Sequence, residues 1–455
     1  MQLRDMIELS YDRGTIVLKN VHDPSIIPHF FRYDRRTLNY RAFACKYSET
    51  INFFSKNKVE VKDNVLRLLK CKIRLKRNIS LYFYQREAVE SWFKKGMRGV
   101  ISLPTGSGKT RIALKIIAEL KVPTLIVVPT LELLEQWRKR ISYYFDTEIG
   151  IFGGGKKDLS CITISTYDSA YINAEILGNK FMLLIFDEVH HLPSPSYRQI
   201  AELNAAPYRL GLSATPERED LAHLDLPELV GEIIYSKAPR ELSGKYIADF
   251  DIIRIKVKLS EEEKKAYDKN IQVFRRYIKT HNISMKKPSD FEKLVMRSGL
   301  DRDARIAILA WREARKIAFN SVSKIKALKE ILEKHRNDRI IIFTENNEMV
   351  RRISYEFLIP EITYKTPLEE RRSILELFRT GEINAIVTSR VLEEGIDVPE
   401  ANIAIVISGT GSKREFIQRL GRILRPKKGK KAILYEIVSS GTSETAISWR
   451  RRKKV

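Results

Sequence analysis

A glycine-rich phosphate loop constrains the fold of this chain more than any other sequence feature. An apolar strand is predicted at Gly99–Leu103, it runs into PTGSGKT (residues 104–110), and an amphipathic helix is predicted at 111–120. Glycines let backbone N–H groups close around phosphates, and the positive end of the helix dipole faces the same anion. Leu103 stands where the consensus has its first glycine. The strand-loop-helix context still predicts a nucleotide site built on a parallel α/β sheet.

The residues of this loop have distinct predicted roles. Lys109 neutralises charge on the β- and γ-phosphates, and the Thr110 hydroxyl is a ligand for Mg²⁺. The cofactors predicted from the loop are therefore ATP and Mg²⁺. The residues predicted here to bind ATP are Pro104, Thr105, Gly106, Ser107, Gly108, Lys109 and Thr110.

An acidic motif ends a second apolar strand. The strand is predicted at Met182–Phe186, and DEVH (187–190) follows it. Ligands of open α/β sheets bind at the carboxyl ends of the strands, so Asp187 is predicted to lie beside the phosphate loop and to hold Mg²⁺. Glu188 is placed to orient the water that attacks the γ-phosphate.

Apolar strands alternate with amphipathic helices from about residue 80 onward, which predicts two successive α/β domains. Residues 1–79 show no convincing helical period, but alternating runs at Thr15–Lys19 and Phe30–Ala44 indicate short antiparallel strands. Residues 260–332 are helical in pattern and too long for an ordinary connection. The predicted strands beyond residue 80 are Gly99–Leu103, Thr124–Val128, Cys161–Ser165, Met182–Phe186, Arg209–Leu212, Ile252–Leu259, Arg339–Phe343, Ala385–Thr388, Ile403–Ile407 and Ala432–Val438.

The charge balance indicates a polyanionic partner. The chain has 82 Lys and Arg against 57 Asp and Glu, a formal net charge of +25 over 455 residues. No apolar run reaches the ~18 residues of a membrane span, so nucleic acid is favoured over a membrane. The first ten residues do not resemble a signal peptide, and the expected location is cytoplasmic and nucleoid-associated. The three cysteines, without CxxC spacing, argue against a disulfide framework and against a zinc site.

Read in order, these and further motifs resemble those of a superfamily two helicase, and more closely those of the archaeal XPB family. DEVHH, SATPERED, EEGIDVP and a sixth motif ending in RP carry the closer resemblance. The motifs are LYFYQREAV with Gln85, LPTGSGKT, VVPTLELLEQW (127–137), TISTYDSA (163–170), DEVH, SAT (213–215), IIIFTENN (340–347), TSRVLEEGIDVP (388–399) and QRLGRILRP (418–426).

The resemblance implies roles for residues outside the loop. Gln85 reads adenine, and Gly395 and Asp397 also belong to the ATP site. Gln418, Arg422 and Arg425 recur at helical spacing and belong to the catalytic set, in which Arg422 and Arg425 supply positive charge near the γ-phosphate. Thr130, Thr166 and Thr388 contact DNA phosphates. Arg218, Glu219 and Asp220 stand at the RED motif, a charged element tied to duplex opening.

The resemblance also implies an architecture and an activity. The expected fold is α/β: two tandem RecA-like parallel-sheet domains, a helical thumb-like insertion at about 261–310 and a small mixed, mostly β N-terminal domain. The expected domains are 1–79 (damage-recognition-like), 80–238 and 239–455. The implied activity is ATP-dependent 3′-to-5′ DNA opening, with nucleotide excision repair as the process. The implied partners are forked, bubble or damaged duplex DNA and an archaeal nuclease of the kind that associates with XPB.

Two other functions share parts of this pattern. A double-stranded DNA translocase, such as a restriction-enzyme motor subunit, has the same ATPase motifs and separates no strands. A non-catalytic DNA-binding scaffold with a relic ATPase fold is the other alternative. Intact Lys109, Glu188, Arg422 and Arg425 argue against the scaffold.

Overall fold

The computed structural model describes residues 6–218, 220–246, 248–285, 288–389, 401–408, 431–445 and 448. The chain divides into two compact units. The first comprises Met1–Pro104 and Gly108–Lys237, and the second comprises Ala238–Val455 together with Thr105–Ser107. None of the helices within the described ranges has both the length and the apolar content that a membrane crossing requires.

A small sheet opens the first unit. Its elements are β1 (Ile7–Asp12), β2 (Thr15–Lys19), β3 (Arg32–Asp34), β4 (Asn39–Phe43), α1 (Tyr47–Lys56) and β5 (Val61–Asn64). The strand order is β3-β4-β2-β1-β5; β1 and β5 pair in parallel, and the other pairs are antiparallel. The predicted mixed, mostly β character is confirmed. Helix α1 was not predicted, because it buries only Thr50 and Phe54 and so gives no clear helical period.

An eight-stranded sheet forms the main part of the first unit. Its order is β11-β10-β12-β8-β13-β14-β7-β15, parallel throughout except for the β10–β11 pair. The elements of this region are β6 (Arg74–Leu75), α2 (Phe83–Lys94), β7 (Arg98–Ser102), α3 (Lys109–Leu120), β8 (Thr124–Val128), α4 (Leu131–Tyr144), β9 (Phe145–Asp146), β10 (Ile149–Gly153), β11 (Lys156–Lys157), β12 (Ile162–Thr166), α5 (Tyr167–Ile172), α6 (Ala174–Leu177), β13 (Leu183–Asp187), α7 (Arg198–Glu202), β14 (Tyr208–Ser213), α8 (Leu226–Leu229) and β15 (Ile233–Ser236).

Burial explains which of these strands the sequence reveals. Strands β8, β12 and β13 are buried along their whole length, as expected for central parallel strands covered on both faces. The five strands predicted here are confirmed, with small shifts at their ends. Strand β10 was not predicted because Gly150 and Gly153 interrupt its apolar run. Strand β15 is a short edge strand whose residues are only partly buried or exposed.

A disulfide lies between the segment before α2 and the large sheet. Cys71 and Cys161 are bonded, and their Cα atoms are 4.9 Å apart. The expectation that the cysteines form no disulfide is therefore wrong for this pair. The two residues are separated by 90 positions in the sequence, so only the fold brings them together. Cys45 is a free thiol.

The second unit contains a six-stranded parallel sheet. Its order is β16-β21-β20-β17-β19-β18. All five strands predicted for this region are confirmed. The elements are α9 (Pro239–Leu242), β16 (Asp249–Val257), α10 (Glu261–Thr280), α11 (Pro288–Arg297), α12 (Arg302–Phe319), α13 (Val322–Lys334), β17 (Ile340–Phe343), α14 (Asn347–Phe357), β18 (Glu361–Ile362), α15 (Leu368–Thr380), β19 (Ala385–Thr388), β20 (Ile403–Val406) and β21 (Lys431–Ser439).

Three helices within this unit have a core of their own. Ser260 caps α10 in a reciprocal capping box with Glu263. Aromatic and aliphatic residues of α10, such as Tyr267 and Phe274, pack with the alanine-rich face of α12. The predicted insertion at about 261–310 is thus helical, and the described helices continue to Phe319. The division of the chain into domains after residues 79 and 238 stays a prediction.

Candidate active site

The phosphate loop joins β7 to α3 and bends at two glycines. Gly106 and Gly108 have φ values of +83° and +80°, in the left-handed region that glycine adopts without strain. A Cβ on Gly108 would lie 2.5 Å from Nε2 of Gln85, so a side chain there would force the Gln85 amide to move. Lys109 donates from Nζ to the Leu103 carbonyl at 3.0 Å, which turns the ammonium back over the loop. Binding of a phosphate chain by this loop and by Lys109 stays a prediction.

Gln85 lies against this loop at the start of α2. Its side chain is 1% exposed, and its Oε1 accepts a hydrogen bond from the Tyr82 backbone N–H at 3.0 Å. Its Nε2 donates to the Tyr84 hydroxyl at 3.4 Å. These contacts fix the amide beside Gly108, next to the predicted ATP site. Reading of adenine by Gln85 stays a prediction.

Asp187 ends the buried strand β13 and receives hydrogen bonds from three directions. Its Oδ2 accepts from Nε1 of Trp137 at 2.8 Å, and its Oδ1 accepts from the Glu188 backbone N–H at 3.1 Å. The hydroxyl of Tyr167 donates to the Asp187 carbonyl at 3.1 Å. The carboxylate is 8% exposed, at the edge of the sheet where the chain leaves β13.

The turn after Asp187 connects DEVH with SAT. Glu188 has a φ of +49°, a left-handed conformation that is uncommon outside glycine and turns the chain sharply. His190 Nδ1 lies 3.1 Å from Ser213 Oγ and 3.5 Å from Glu188 Oε2. Ser213 Oγ also accepts a hydrogen bond from the Thr215 backbone N–H. The second and third predicted motifs are therefore one connected cluster in the first unit.

Thr110 is the second residue of α3 and the other predicted Mg²⁺ ligand. Its hydroxyl accepts a hydrogen bond from Arg140 Nη1 at 2.5 Å. A cavity of about 380 Å³ lies here, lined by residues of α3 and α4 that include Lys139 and Tyr143. A hydroxyl and a carboxylate are hard oxygen donors, and Mg²⁺ is commonly held by one or two protein oxygens together with substrate phosphates. The oxygen chemistry of Thr110 and Asp187 fits that ion, but a cation at Thr110 requires the Arg140 guanidinium to move off the hydroxyl.

The three threonines predicted to contact DNA differ in what their hydroxyls do. Thr130 Oγ1 caps α4 by accepting from the Leu133 N–H, and Thr166 Oγ1 caps α5 by accepting from the Ser169 N–H, both at 3.3 Å. Thr388 ends β19 in the second unit, is 0% exposed and donates to the Ile362 carbonyl at 2.9 Å. The Thr388 hydroxyl is thus hydrogen-bonded within its own sheet, and the phosphate contact predicted there stays a prediction.

The described part of the RED motif is tied to the DEVH turn. Arg218 donates from Nε and Nη2 to the Asp220 carboxylate and from Nη1 to the His190 carbonyl at 2.8 Å. Hydrogen bonding from Arg218 lowers the pKa of Asp220 to about 2. The same pairing raises the pKa of Arg218 above its ordinary value. Sequence reasoning did not indicate the contact to His190.

Several predicted residues lie outside the described ranges. They are Glu219, Gly395, Asp397, Gln418, Arg422 and Arg425. Among the described residues, the first unit contains Gln85, the loop residues Pro104 and Gly108 to Thr110, and the Asp187–Glu188 pair. Sequence reasoning missed Trp137 and Tyr167. A usable signal was their type, since the N–H of a buried tryptophan and the hydroxyl of a buried tyrosine normally have a partner.

Three family descriptions match successive parts of the chain. Residues 9–65 match the Xeroderma pigmentosum group B helicase damage recognition domain. Residues 78–218 match the res subunit of type III restriction enzymes, and residues 310–455 match the ERCC3/RAD25/XPB C-terminal helicase.

Similar proteins extend these matches over the whole chain. The DNA 3′-5′ translocase XPB2 of Sulfurisphaera tokodaii is 49% identical over 448 residues, which cover 98% of this chain and 100% of that protein. The DNA 3′-5′ helicase XPB of Mycobacterium tuberculosis is 30% identical over 81% of this chain, which spans 62% of that protein. The Pyrococcus furiosus Hef helicase domain aligns with a TM-score of 0.55, 21% identity, and coverage of 83% of this chain and 100% of that chain. This last likeness shows a helicase fold.

Proposed function

The chain belongs to the XPB family of DNA helicases and translocases, and from this we propose that it hydrolyses ATP to move 3′ to 5′ along DNA and open the duplex. The observation that carries the proposal is the cluster in the first unit. Lys109, whose Nζ donates to the Leu103 carbonyl, and the Asp187–Glu188 pair at the end of β13 are the kinds of group that phosphoryl transfer to water requires.

Each residue of this cluster has a proposed task. Lys109 neutralises the β- and γ-phosphates, and Glu188 orients the attacking water. Thr110 and Asp187 hold Mg²⁺ with their hydroxyl and carboxylate oxygens. When bound there, Mg²⁺ would neutralise the negative charge on the phosphates while the γ-phosphoryl group is transferred to water and ADP leaves. Arg422 and Arg425 are proposed to add positive charge in the transition state, with Gln418 beside them.

We propose that DNA binding is sequence-independent. The Thr130 hydroxyl accepts a hydrogen bond from the Leu133 N–H and retains its own proton for a phosphate oxygen. Thr166 has the same capping geometry, but its hydroxyl donates its proton to Ser169 Oγ at 3.0 Å, so a phosphate contact there requires that hydrogen bond to be exchanged. At Thr388 the hydroxyl is already bonded to Ile362, so the contact proposed there is through neighbouring backbone N–H groups. The net charge of +25 supports a polyanionic partner.

Translocation without strand separation is the second candidate. Two findings favour it: the 49% identical relative is named a translocase, and residues 78–218 match a restriction-enzyme subunit. A fork substrate and a blunt duplex that carries a third strand distinguish the two functions. A helicase opens the fork, whereas a pure translocase displaces the third strand and leaves the fork closed. The Lys109→Ala variant is the control that must do neither.

The RED motif is the proposed opening element. Breaking a base-pair step costs about 1.4 kcal/mol of stacking on average, so an opener needs a group that holds the split junction. Arg218 and Asp220 are paired, and Arg218 also contacts the DEVH turn, which places this charged element next to the ATPase cluster. Triple alanine replacement at 218–220 is expected to reduce fork opening far more than DNA-stimulated ATP hydrolysis. An equal loss of both rates would contradict the opening role and indicate that the motif only connects DEVH with SAT.

A role in nucleotide excision repair and a partner nuclease complete the proposal. The match of residues 9–65 to a damage recognition domain supports the repair role. Affinity for a duplex with a bulky lesion, compared with an intact duplex, tests it. A copurified nuclease whose cleavage of bubble DNA depends on this chain would support the partner. Association with the nucleoid is proposed on the same grounds.

A further inference from the structure

Asp187 is held by two buried aromatic donors that no predicted motif role explains. Trp137 and Tyr167 are each 1% exposed, and their polar atoms point to Asp187: Trp137 Nε1 to the carboxylate and Tyr167 Oη to the backbone carbonyl. A buried polar group without a partner is destabilising, whereas an apolar aromatic residue such as phenylalanine needs no hydrogen-bond partner. The N–H and the hydroxyl are therefore the features that distinguish these residues from simple packing.

The type of donor matters for a carboxylate that binds a cation. An arginine or lysine at Oδ2 would neutralise Asp187, and its own charge would repel a metal ion. The indole N–H is neutral, so it fixes the direction of the carboxylate and leaves its negative charge available. Partners of this kind, one step behind a metal ligand, orient it and strengthen its binding.

The two donors also lie on helices that begin at the proposed DNA contacts. Trp137 is in α4, which Thr130 caps, and Tyr167 is the first residue of α5, which Thr166 caps. Trp137 lies about two turns along α4 from Thr130. A displacement of the helix at Thr130 therefore also displaces Trp137. The strands β8, β12 and β13, which lead into α4, into α5 and into Asp187 itself, are neighbours in the sheet and are buried along their whole length.

We propose that Trp137 and Tyr167 are positioning residues that orient the Asp187 carboxylate toward Mg²⁺, and that this orientation depends on DNA bound at Thr130 and Thr166. This inference rests on the proposed function, and it adds a route by which DNA binding reaches the metal ligand. Trp137 is the principal residue, because it bonds the carboxylate itself. Tyr167 fixes the strand end from which the carboxylate projects.

Tyr167→Phe removes the hydroxyl and retains the ring, whereas Trp137→Phe removes the indole N–H and replaces the indole with a smaller ring. The matched control is Trp92→Phe in the same unit, because Trp92 is 0% exposed and its Nε1 donates to the Arg209 carbonyl at 3.0 Å, away from Asp187. Tyr11→Phe is the control for the tyrosine, since the Tyr11 hydroxyl donates to the Leu203 carbonyl at 3.1 Å. Thermal unfolding of all four variants sets the temperature at which each is folded.

The first readout is affinity for a non-hydrolysable ATP analogue in Mg²⁺ and in EDTA. Trp137→Phe is expected to weaken binding in Mg²⁺ by roughly 10-fold, the lower end for residues behind a metal ligand, and to leave binding in EDTA unchanged. Tyr167→Phe is expected to have the same sign and a smaller effect. Trp92→Phe and Tyr11→Phe are expected to match wild type in both buffers.

The second readout is the effect of the Mg²⁺-bound analogue on duplex affinity, measured by fluorescence anisotropy. Coupling between two binding sites is reciprocal, so wild type is expected to show it in both directions. Trp137→Phe is expected to reduce it toward no effect while duplex affinity without nucleotide stays at the wild-type value.

Two outcomes separate this inference from the function on which it rests. Absence of Mg²⁺-dependent analogue binding in wild type would contradict the proposed function itself. Normal wild-type behaviour, with Trp137→Phe indistinguishable from Trp92→Phe in both readouts, would overturn the positioning role alone. Equal weakening of Trp137→Phe in Mg²⁺ and in EDTA would overturn it as well, because general loss of packing does not depend on the metal.

Discussion

The two parallel sheets use the polar groups at their strand ends in different ways. In the first unit, β13 ends in Asp187, whose carboxylate is fixed by a neutral N–H and stays available for a cation. In the second unit, β19 ends in Thr388, whose hydroxyl is consumed by a hydrogen bond within the sheet. Lys324 of the same unit is buried, and its Nζ donates hydrogen bonds to the Glu444 carboxylate and to the Ile407 carbonyl. Among the described residues, the strand-end carboxylate of the first unit is thus available for a ligand, whereas the polar groups named in the second unit are hydrogen-bonded within that unit.

The strongest test of this comparison is to change the carboxylate proposed to be catalytic. Glu188→Gln is expected to lower DNA-stimulated turnover by about 10²–10⁴-fold, because it removes the group proposed to orient the water, and to leave ATP affinity and thermal stability unchanged. Steady-state turnover and analogue binding check this. Glu135→Gln, an exposed glutamate on α4, is the control. Retention of more than about half the wild-type turnover would contradict the role of Glu188.

A change in the second unit is expected to act on stability instead. Lys324 and Glu444 are 0% and 1% exposed, and removal of one partner of such a pair typically costs about 3–5 kcal/mol. Lys324→Met is therefore expected to destabilise the fold and to leave nucleotide affinity intact where the protein is folded. Lys316→Met, which breaks the exposed pair with Glu348, is expected to cost about 0–1 kcal/mol. Denaturant unfolding measures both, and equal costs would contradict the buried role.

Thr388 and Thr130 sharpen the comparison directly. Thr388→Val removes the hydrogen bond to Ile362 and is expected to cost about 1 kcal/mol of stability without changing duplex affinity. Thr130→Val removes a helix cap and a proposed phosphate contact, so it is expected to lower duplex affinity several-fold as well as stability. Unfolding and anisotropy titrations check both variants. A drop in duplex affinity for Thr388→Val would show that its side chain reaches DNA.

The smallest expected effect is a pH dependence at the RED motif. The pKa of Asp220 is lowered to about 2 by Arg218, so the pair contributes stability above the ordinary aspartate pKa and loses it as the pH falls toward 2. Asp220 is 54% exposed, so solvent screening keeps this contribution within about 1 kcal/mol. The stability difference between wild type and Asp220→Asn should be constant near neutral pH and shrink below about pH 4. A difference that grows on acidification would reverse the assigned sign.

Both sheets were predictable from the sequence because parallel strands buried on two faces are continuous apolar runs. Leu183–Asp187 and Ile340–Phe343 illustrate this, since every residue in them is buried. Strand β10 escaped prediction because its glycines weaken the apolar pattern. The Cys71–Cys161 bond escaped because a sequence fixes no distance between residues far apart in the chain.

The same limit applies to the site. Motif residues such as Lys109 and Asp187 carry their chemistry in their type and spacing. The type and spacing of their hydrogen-bond partners give no such signal. Trp137 precedes Asp187 by 50 positions and contacts it only through the packing of α4 on the sheet. The contact of Arg218 with the His190 carbonyl is likewise a product of the fold.

The most direct test of the central claim is strand displacement on 3′-tailed and 5′-tailed duplexes, each with and without ATP. The account predicts displacement on the 3′-tailed duplex alone, dependent on ATP and lost in Lys109→Ala. Displacement that favours the 5′ tail, or that proceeds equally without ATP, would contradict it.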